Sequence, residues 1–294
     1  MKDLISKPKA KKFNLLVLLL FFCCQTIVAQ TDSMTLVPHW SKGDSKRYEI
    51  VHSSSVSTSG VMRSAAKKTQ LVTLRVAGVR DSLTDMIWKF GDSNYSDSVS
   101  TASPLLVLFQ TMDKGIEVKY TIHANGSIKS ISNYDEILSM IKLKTDSIVL
   151  LMSKEANVPQ AKTDAVKFQL STMFGTIEAL NAGLLNDIYQ YHQLYGYTYR
   201  TKSITSIPDT IFSPTSIGNQ NTLEINLASI DPIKRRYHLH ATLVNPSMSR
   251  MHMVRKIDRF YSFESPNNWI IEYRSTNSIG PESPKLEYNL RMIK

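Results

Sequence analysis

The sequence has almost no cysteine. Its 294 residues contain two, Cys23 and Cys24, and both lie in an apolar N-terminal segment. If that segment is removed, the rest of the chain can form no disulfide, no thiolate metal site and no cysteine nucleophile. Its stability must therefore come from the packing of its core.

The short motifs that mark common enzyme sites are also missing. The chain has no Gly-x-Ser-x-Gly, no His-Glu-x-x-His, no P-loop and no dinucleotide-binding fingerprint. Ser-x-x-Lys occurs at residues 64–67 and 139–142, but without the Lys-Thr-Gly or Ser-Asp-Asn partner of penicillin-recognising enzymes. Nothing pairs the carboxylates of Glu178 and Asp187 for acid–base chemistry. The sequence thus predicts no catalytic residue and no cofactor, and it favours a non-catalytic role.

No stretch of proline and glycine is long enough to serve as a domain linker, and no internal repeat is convincing. Residues 30–294 are therefore predicted to form a single α+β domain, with two separate domains as the alternative. The basic residues are scattered, and the densest cluster, at residues 234–236, is typical of a solvated turn. No basic and aromatic module for nucleic acid is present, so we expect no nucleic acid partner.

The N-terminal segment carries an export pattern. Lysines precede an apolar run at residues 13–24, and Ala29 stands before Gln30 as a small residue at a cleavage point. This order predicts a secretory signal peptide over residues 1–29, with an uncleaved anchor as the alternative. The protein is then expected to be exported, either to the periplasm or to an outer-membrane-associated or extracellular location.

Removal of this segment changes two properties of the chain. It carries five lysines and one aspartate, so the formal net charge falls from +10 to +6. No transmembrane segment is predicted after cleavage. Lipidation at Cys23 or Cys24 is a further alternative, but Phe22 is a poor fit to the small residue expected before a lipidated cysteine.

Residues 133–195 are predicted to form a helical insertion. Asn125-Gly126 before them favours a tight hairpin, and Asn133 is a good helix N-cap. A second helix is predicted from about Pro159, with Gly183 bending or dividing it. Its apolar stripe consists of Val166, Leu170, Met173, Ile177, Leu180, Leu184 and Ile188.

Phe168 and Phe174 lie off that stripe, which indicates a helix that is apolar on more than one side. It could pack on a sheet, or it could form a mobile lid over an apolar cavity. About five strand-like segments precede the helices and about six follow them. This segregation predicts an α+β fold, in which a curved antiparallel sheet or open half-barrel wraps an inserted central helical pair and buries both apolar faces.

Five tyrosines cluster where the helical block ends. Three of them, Tyr195, Tyr197 and Tyr199, are predicted to lie on one face of a strand. Aromatic faces can stack on sugars or contact a partner, and tyrosine also suits the boundary between a helix and a sheet. The alternatives are therefore a binding surface and a core contact.

His238 and His240 are predicted on one face of a strand, and His252 is flanked by methionines. Imidazole and thioether together would suit copper. No cysteine or carboxylate completes the set, and methionines of this kind are usually core residues. We therefore predict no metal site.

Asp followed by Ser or Thr and an apolar residue occurs five times, where about one match is expected by chance. The pattern resembles the O-glycosylation signal of exported Bacteroidetes proteins. It marks Ser33, Ser82, Ser98 and Thr210 as candidate modified residues. A fifth match, Ser147, falls on a predicted helix. Serine richness alone is the alternative explanation.

The order of elements resembles exported Bacteroidetes proteins with a LolA- or lipocalin-like half-barrel. The likeness is carried by a strand, Asn-Gly turn, strand and Asn-capped helix at residues 120–137, and by a hairpin at residues 260–273. It implies an envelope protein that binds an apolar or lipid-like ligand between sheet and helices. Candidate ligand-binding residues are Phe168, Phe174, Tyr195, Tyr197 and Tyr199. The alternative is an interaction module for an envelope protein or a glycan.

Overall fold

The computed structural model describes residues 33–58, 61–97, 112–154, 158–209, 222–231, 233–244, 256–278 and 285–293. Several predictions lie outside these residues. They are the signal peptide at residues 1–29 with Cys23 and Cys24, the candidate modification sites Ser98 and Thr210, and His252.

The described chain is built mainly from antiparallel strands, with helices in the middle of the sequence. The first strands are β1 (Ser33–Thr35), β2 (Ser45–Thr58), β3 (Val61–Arg80), β4 (Leu83–Asp97), β5 (Glu117–His123) and β6 (Ile128–Ile131). The helices are α1 (Tyr134–Lys154), α2 (Gln160–Phe174), α3 (Ile177–Ala182) and α4 (Asn186–His192). The later strands are β7 (Thr198–Arg200), β8 (Thr205–Pro208), β9 (Thr222–Asp231), β10 (Arg236–Val244), β11 (Lys256–Glu264), β12 (Trp269–Ser278) and β13 (Lys285–Ile293).

Eleven of these strands form one antiparallel sheet in the order β6-β5-β4-β3-β2-β13-β12-β11-β10-β9-β8, and β1 pairs with β7 in a small second sheet. The two halves of the large sheet meet where β2 pairs with β13, for example at Ile50 opposite Leu290. Its border strands β6 and β8 are not paired with each other in the described residues. The predicted curved, unclosed antiparallel sheet is confirmed, and it is accompanied by four short helices in the described residues.

The hairpin and helix start before the block lie where the sequence predicts them. Gly126 takes a positive φ of 91° in the turn between β5 and β6. Asn133 stands directly before α1, but its side chain binds the β5 backbone, accepting from Lys119 N at 2.8 Å and donating to Glu117 O at 2.8 Å. It therefore fastens the start of α1 to the sheet.

The prediction of a second helix interrupted at Gly183 alone is wrong, because the segment forms three helices. α2 ends at Gly175, whose N–H donates to Ser171 O, and a new helix begins at once because Thr176 caps it by accepting from Ala179 N at 3.1 Å. Gly183 follows the end of α3 and divides the segment again, as the sequence predicts. Local capping therefore overrides the continuous apolar stripe.

The prediction that the sheet buries both apolar faces of the second helix is also wrong. Val166 and Leu170 of α2 are buried, but Met173 is 54% exposed and Ile177 is 40% exposed. Phe168, on the other face, is 73% exposed. In the described chain one side of α2 is therefore buried, with α1 packed against this helix, and the other side faces solvent.

The helix α4 lies against the concave face of the sheet. The ring of Tyr191 contacts Tyr48 of β2 and Trp88 of β4, with centroids 5.6 and 5.8 Å apart. Tyr195, just after the helix, contacts Phe263 of β11 at 5.9 Å. Since these strands belong to both halves, the sheet must curve around α4, and the aromatic core forms between them.

Candidate functional site

The C-terminal end of α4 is held by buried hydrogen bonds. The hydroxyl groups of Tyr48 and Tyr191 lie 2.9 Å apart, and His192 lies 3.0 Å from the Tyr120 hydroxyl through Nε2 and 2.9 Å from Gly126 O through Nδ1. Burial lowers the pKa of His192 to about 3, so the ring is neutral. A carbonyl only accepts, so Nδ1–H donates to Gly126 O and Nε2 accepts from Tyr120.

The predicted tyrosine surface does not lie on one strand. Tyr195 is in the turn after α4, Tyr199 is in β7, and both are buried. Their hydroxyl groups donate to Asn268 O at 2.6 Å and to Leu194 O at 2.7 Å. Tyr197 is 37% exposed. With Tyr189, it lines an open cavity of about 550 Å³ that borders the aromatic core at His192 and Tyr195.

The concave face changes character along its central strands. On β3, the inward side chains Val76, Leu74 and Val72 are apolar and buried, and the next two in the same direction are Gln70 and Lys68. Alternate residues of a strand share a face, so these five form one row. The row leaves the solid core at Gln70 and enters a half-open space, here called the concave cleft.

The concave cleft has two lobes. The outer lobe has a volume of about 400 Å³, and its walls are formed by β2, β3, β4, β11, β12, β13 and α4. Its lining includes His52, Ala66, Asn186, Tyr273, Leu286 and Tyr288. The wall therefore combines apolar and aromatic side chains with many polar ones, among them Lys68 and the buried Arg259.

The inner lobe has a volume of about 290 Å³ and lies between the sheet and the helices. Its apolar lining includes Phe90, Met112, Phe174 and Leu184. Its polar lining includes His52, Lys68, Gln70, Asp113, Asn186 and Asp187. His52, Lys68 and Asn186 also line the outer lobe, so the lobes meet at these three residues.

Charged groups in the cleft are paired with each other. Lys68 Nζ forms an ion pair with Asp113 Oδ2, and both side chains are largely buried. His52 Nε2 lies 3.5 Å from Asp187 Oδ2. At the outer rim, Glu287 lies 2.5 Å from Lys285 Nζ. The cleft is therefore strongly polar at the junction of its lobes without a large excess of either charge.

Three buried polar atoms of the lining have no hydrogen-bond partner among the described residues. They are Gln70 Nε2, Asp113 Oδ1 and Tyr288 Oη. Gln70 is 1% exposed, and Tyr288 is 8% exposed. Burial and the nearby Asp187 carboxylate raise the pKa of Tyr288 well above its usual value, so its hydroxyl keeps its proton. Buried polar atoms usually have partners, so these three atoms are a distinctive property of the cleft.

Of the five candidate ligand-binding residues, Phe174 lies in the cleft. Phe168 is on the same helix but points to solvent, and Tyr199 belongs to the closed core. Tyr195 and Tyr197 line the separate open cavity of about 550 Å³ instead. The sequence reasoning missed His52, Lys68, Gln70, Asp113 and Tyr288. A signal existed for Gln70 alone, because a polar residue continues the alternating apolar row of β3.

Two candidate glycosylation residues can be located. Ser33 is exposed at the start of β1, and Ser82 is exposed in the turn between β3 and β4, next to Asp81 with φ of 46°. Ser147 lies on α1, where its hydroxyl donates to Leu143 O at 2.8 Å. Ser33 and Ser82 are thus accessible to a modifying enzyme, while Ser147 sits on regular helix.

The histidines considered for copper make contacts with β11. His238 Nδ1 lies 2.9 Å from Ser262 Oγ, and His240 lies 3.5 Å from Asp258 and stacks on Phe260 at 4.5 Å. Within the described ranges, no group of three or more His, Cys, Asp or Glu side chains is arranged to hold a metal ion. In those same ranges, no helix has the length and apolar character needed to cross a membrane.

Comparisons with known proteins give limited information. No protein-family model matches the sequence, and no curated protein matches it. A structure concerning lipid–protein interactions in lipovitellin is similar over 87% of this chain, with 12% identity and a TM-score of 0.48. This chain covers 26% of the lipovitellin chain.

A second solved structure is a Bacteroides fragilis protein with a YmcC-like fold that is described as exported. It is similar over 89% of this chain and all of its own, with 10% identity and a TM-score of 0.23. Neither TM-score reaches 0.5. These likenesses therefore carry no argument about function, which must come from the cleft.

Proposed function

We propose that the protein is an exported, non-catalytic protein of the cell envelope that binds an amphipathic, lipid-like ligand in the concave cleft. The observation that carries this proposal is the inner lobe. There the aromatic core of the sheet gives way to an unfilled space between Phe90 on the sheet and Phe174 on α2. Protein interiors are normally packed without such gaps.

The size and lining of the cleft support the same proposal. Lobes of about 400 and 290 Å³ are in the range of small-molecule sites, which is roughly 300–1,000 Å³. One wall of the inner lobe is apolar, while its floor carries Lys68, Gln70 and Asp113. An amphipathic molecule matches this division, because each of its parts meets surface of its own polarity.

The proposal also agrees with the surroundings of two histidines in the described part of the chain. The buried His192 is neutral and is engaged at both ring nitrogens inside the core. In the cleft, His52 has the Asp187 carboxylate beside it, and no serine hydroxyl is recorded within hydrogen-bond distance of its ring in the described part of the chain. The groups present serve recognition better than nucleophilic attack.

Binding of N-phenyl-1-naphthylamine, an uncharged and apolar fluorescent probe, tests the proposal. The purified protein is expected to increase the fluorescence of the probe in a saturable way, and native mass spectrometry is expected to show one bound molecule per chain. Phe174→Glu places a carboxylate against the apolar wall and should weaken binding about tenfold or more.

Phe168→Glu is the matched control, since Phe168 lies on the same helix and is 73% exposed. It should bind the probe as the unmodified protein does, and circular dichroism should show that both variants are folded. Absence of saturable binding would overturn the proposal. So would equal losses in the two variants, because binding would then not depend on the inner lobe.

A further inference from the structure

The polar groups of the cleft indicate the chemistry of the ligand's polar end. This step rests on the proposed function. We infer that the cleft selects an amphiphile with an uncharged, hydroxyl-bearing polar end, such as a monoacylglycerol, over a fatty acid or an alkyl phosphate. The inference follows from three unpartnered buried atoms and from the internal pairing of the nearby charges.

The unpartnered atoms require both a donor and an acceptor from the ligand. Gln70 Nε2 is a donor, Asp113 Oδ1 is an acceptor, and the Tyr288 hydroxyl is either. A buried polar atom without a partner is unfavourable, so a ligand that supplies partners is stabilised. A hydroxyl group donates and accepts at once, whereas a carboxylate or phosphate dianion only accepts. Hydroxyl groups therefore match this set, and anionic groups do not.

The charges in the cleft oppose an anionic polar end. Lys68 and Arg259 are the cations in the lining of the outer lobe, and each already forms an ion pair, Lys68 with Asp113 and Arg259 with Asp209. Asp187 lies on the other side of the junction, 3.5 Å from His52. An added anion would be close to two carboxylates and would compete for a lysine that is in use. A cationic polar end would be repelled by the positive charge of Lys68.

The position of the apolar part follows from the lining. Phe90, Met112 and Phe174 form the apolar wall of the inner lobe, beside Gln70 and Asp113. A ligand whose hydroxyl groups lie at the junction of the lobes places its chain along this wall. Tyr288, in the outer lobe, then approaches the polar end from the opposite side.

Three ligands with the same twelve-carbon chain test the inference: monolaurin, laurate and dodecyl phosphate. Isothermal titration calorimetry of the full mature protein should show monolaurin binding about tenfold more tightly than either anion. Tyr288→Phe removes one hydroxyl and Gln70→Leu removes the amide. Each substitution should weaken the binding of monolaurin about tenfold, while the affinity for laurate should change less than about threefold.

Tyr261→Phe is the control, because Tyr261 is a buried tyrosine whose side chain lies outside the lining of both lobes. It should leave all three affinities unchanged. Laurate or dodecyl phosphate binding as tightly as monolaurin would overturn the inference and leave the proposed function standing. Binding of none of the three would overturn both. Equal effects of Tyr288→Phe and Tyr261→Phe would also overturn the inference.

Discussion

Gly126 lies so close to Tyr195 that a Cβ atom at position 126 would be 2.5 Å from the Cβ of Tyr195. The contact joins the β5–β6 turn to the turn after α4, and Gly126 also has a φ of 91°. Gly126→Ala therefore combines a steric clash with an unfavourable backbone conformation. We expect it to lower the free energy of unfolding by about 3 kcal/mol, measured by denaturant titration.

Gly43→Ala separates the two contributions. Gly43 has a φ of 93°, but a Cβ there would meet no atom within 4 Å. Gly43→Ala should lower the free energy of unfolding by about 1 kcal/mol, because only the backbone conformation becomes unfavourable. If both variants lose the same stability, the packing of Tyr195 on Gly126 is not important for the fold.

The ion pair of Arg259 and Asp209 is buried. Arg259 Nη2 lies 3.3 Å from Asp209 Oδ2, and the two side chains are 1% and 0% exposed. Asp209→Asn keeps the shape but leaves the guanidinium charge without its carboxylate. We expect a loss of about 3–5 kcal/mol in the free energy of unfolding.

Glu117→Gln is the comparison for this pair. Glu117 lies 2.8 Å from Lys89, but the side chains of that pair are 40% and 55% exposed. Solvent weakens such pairs, so the loss should stay within about 1 kcal/mol. Similar losses for Asp209→Asn and Glu117→Gln would contradict a stabilising role for the buried pair.

The neutral His192 makes stability depend on pH. Its pKa is about 3 in the folded protein, below the ordinary value of 6.5, because burial disfavours the charged ring. As the pH falls below about 6.5, the unfolded chain takes up a proton that the folded protein does not. The free energy of unfolding should therefore fall by about 1.4 kcal/mol per pH unit through this group, and it should be independent of this group above that pH.

Denaturant titrations between about pH 4.5 and 6.5 check this expectation. His192→Gln should lose stability near pH 7 but should show a smaller slope than the unmodified protein. His123→Gln, at the exposed end of β5, should keep the original slope. An unchanged slope in His192→Gln would show that another group carries the pH dependence.

The hydroxyl groups of Tyr48 and Tyr191 form a buried pair at 2.9 Å. Tyr191→Phe leaves the Tyr48 hydroxyl without this partner and should cost about 1–2 kcal/mol. Adding Tyr48→Phe to that variant should restore part of the loss. The double-mutant cycle should give a coupling energy of about 1 kcal/mol, and strictly additive losses would contradict the pairing.

The sequence predicted the elements that depend on local pattern. The Asn125-Gly126 turn, the start of the helices after Asn133 and the division at Gly183 all follow from the conformational preferences of a few adjacent residues. The break at Gly175 was missed because the apolar stripe continues through it. The side chain of Thr176 caps a new helix there, and this local effect prevails over the apolar stripe.

The cleft depends on pairing between strands that are far apart in the chain, so its position could not be predicted from the sequence. His52 on β2, Lys68 on β3 and Tyr288 on β13 come together because β13 pairs with β2. The five tyrosines at the end of the helical block indicate an aromatic cluster, but their composition does not say whether the rings face a ligand or each other. The rings of α4 face the core because the sheet curves around them.

Because β2 pairs with β13, the centre of the sheet can form only near the end of the synthesis of the chain. β2 can pair with β3 early, but Ile50 and its neighbours meet their partners around Leu290 only after almost every other strand has been made. Until then the 14-residue β2 has an open edge, the kind of surface on which two growing chains can pair wrongly. The pairing of β2 with β13 therefore forms last. Loss of β13 would separate the two halves of the sheet, whereas loss of an edge strand would only make the sheet narrower.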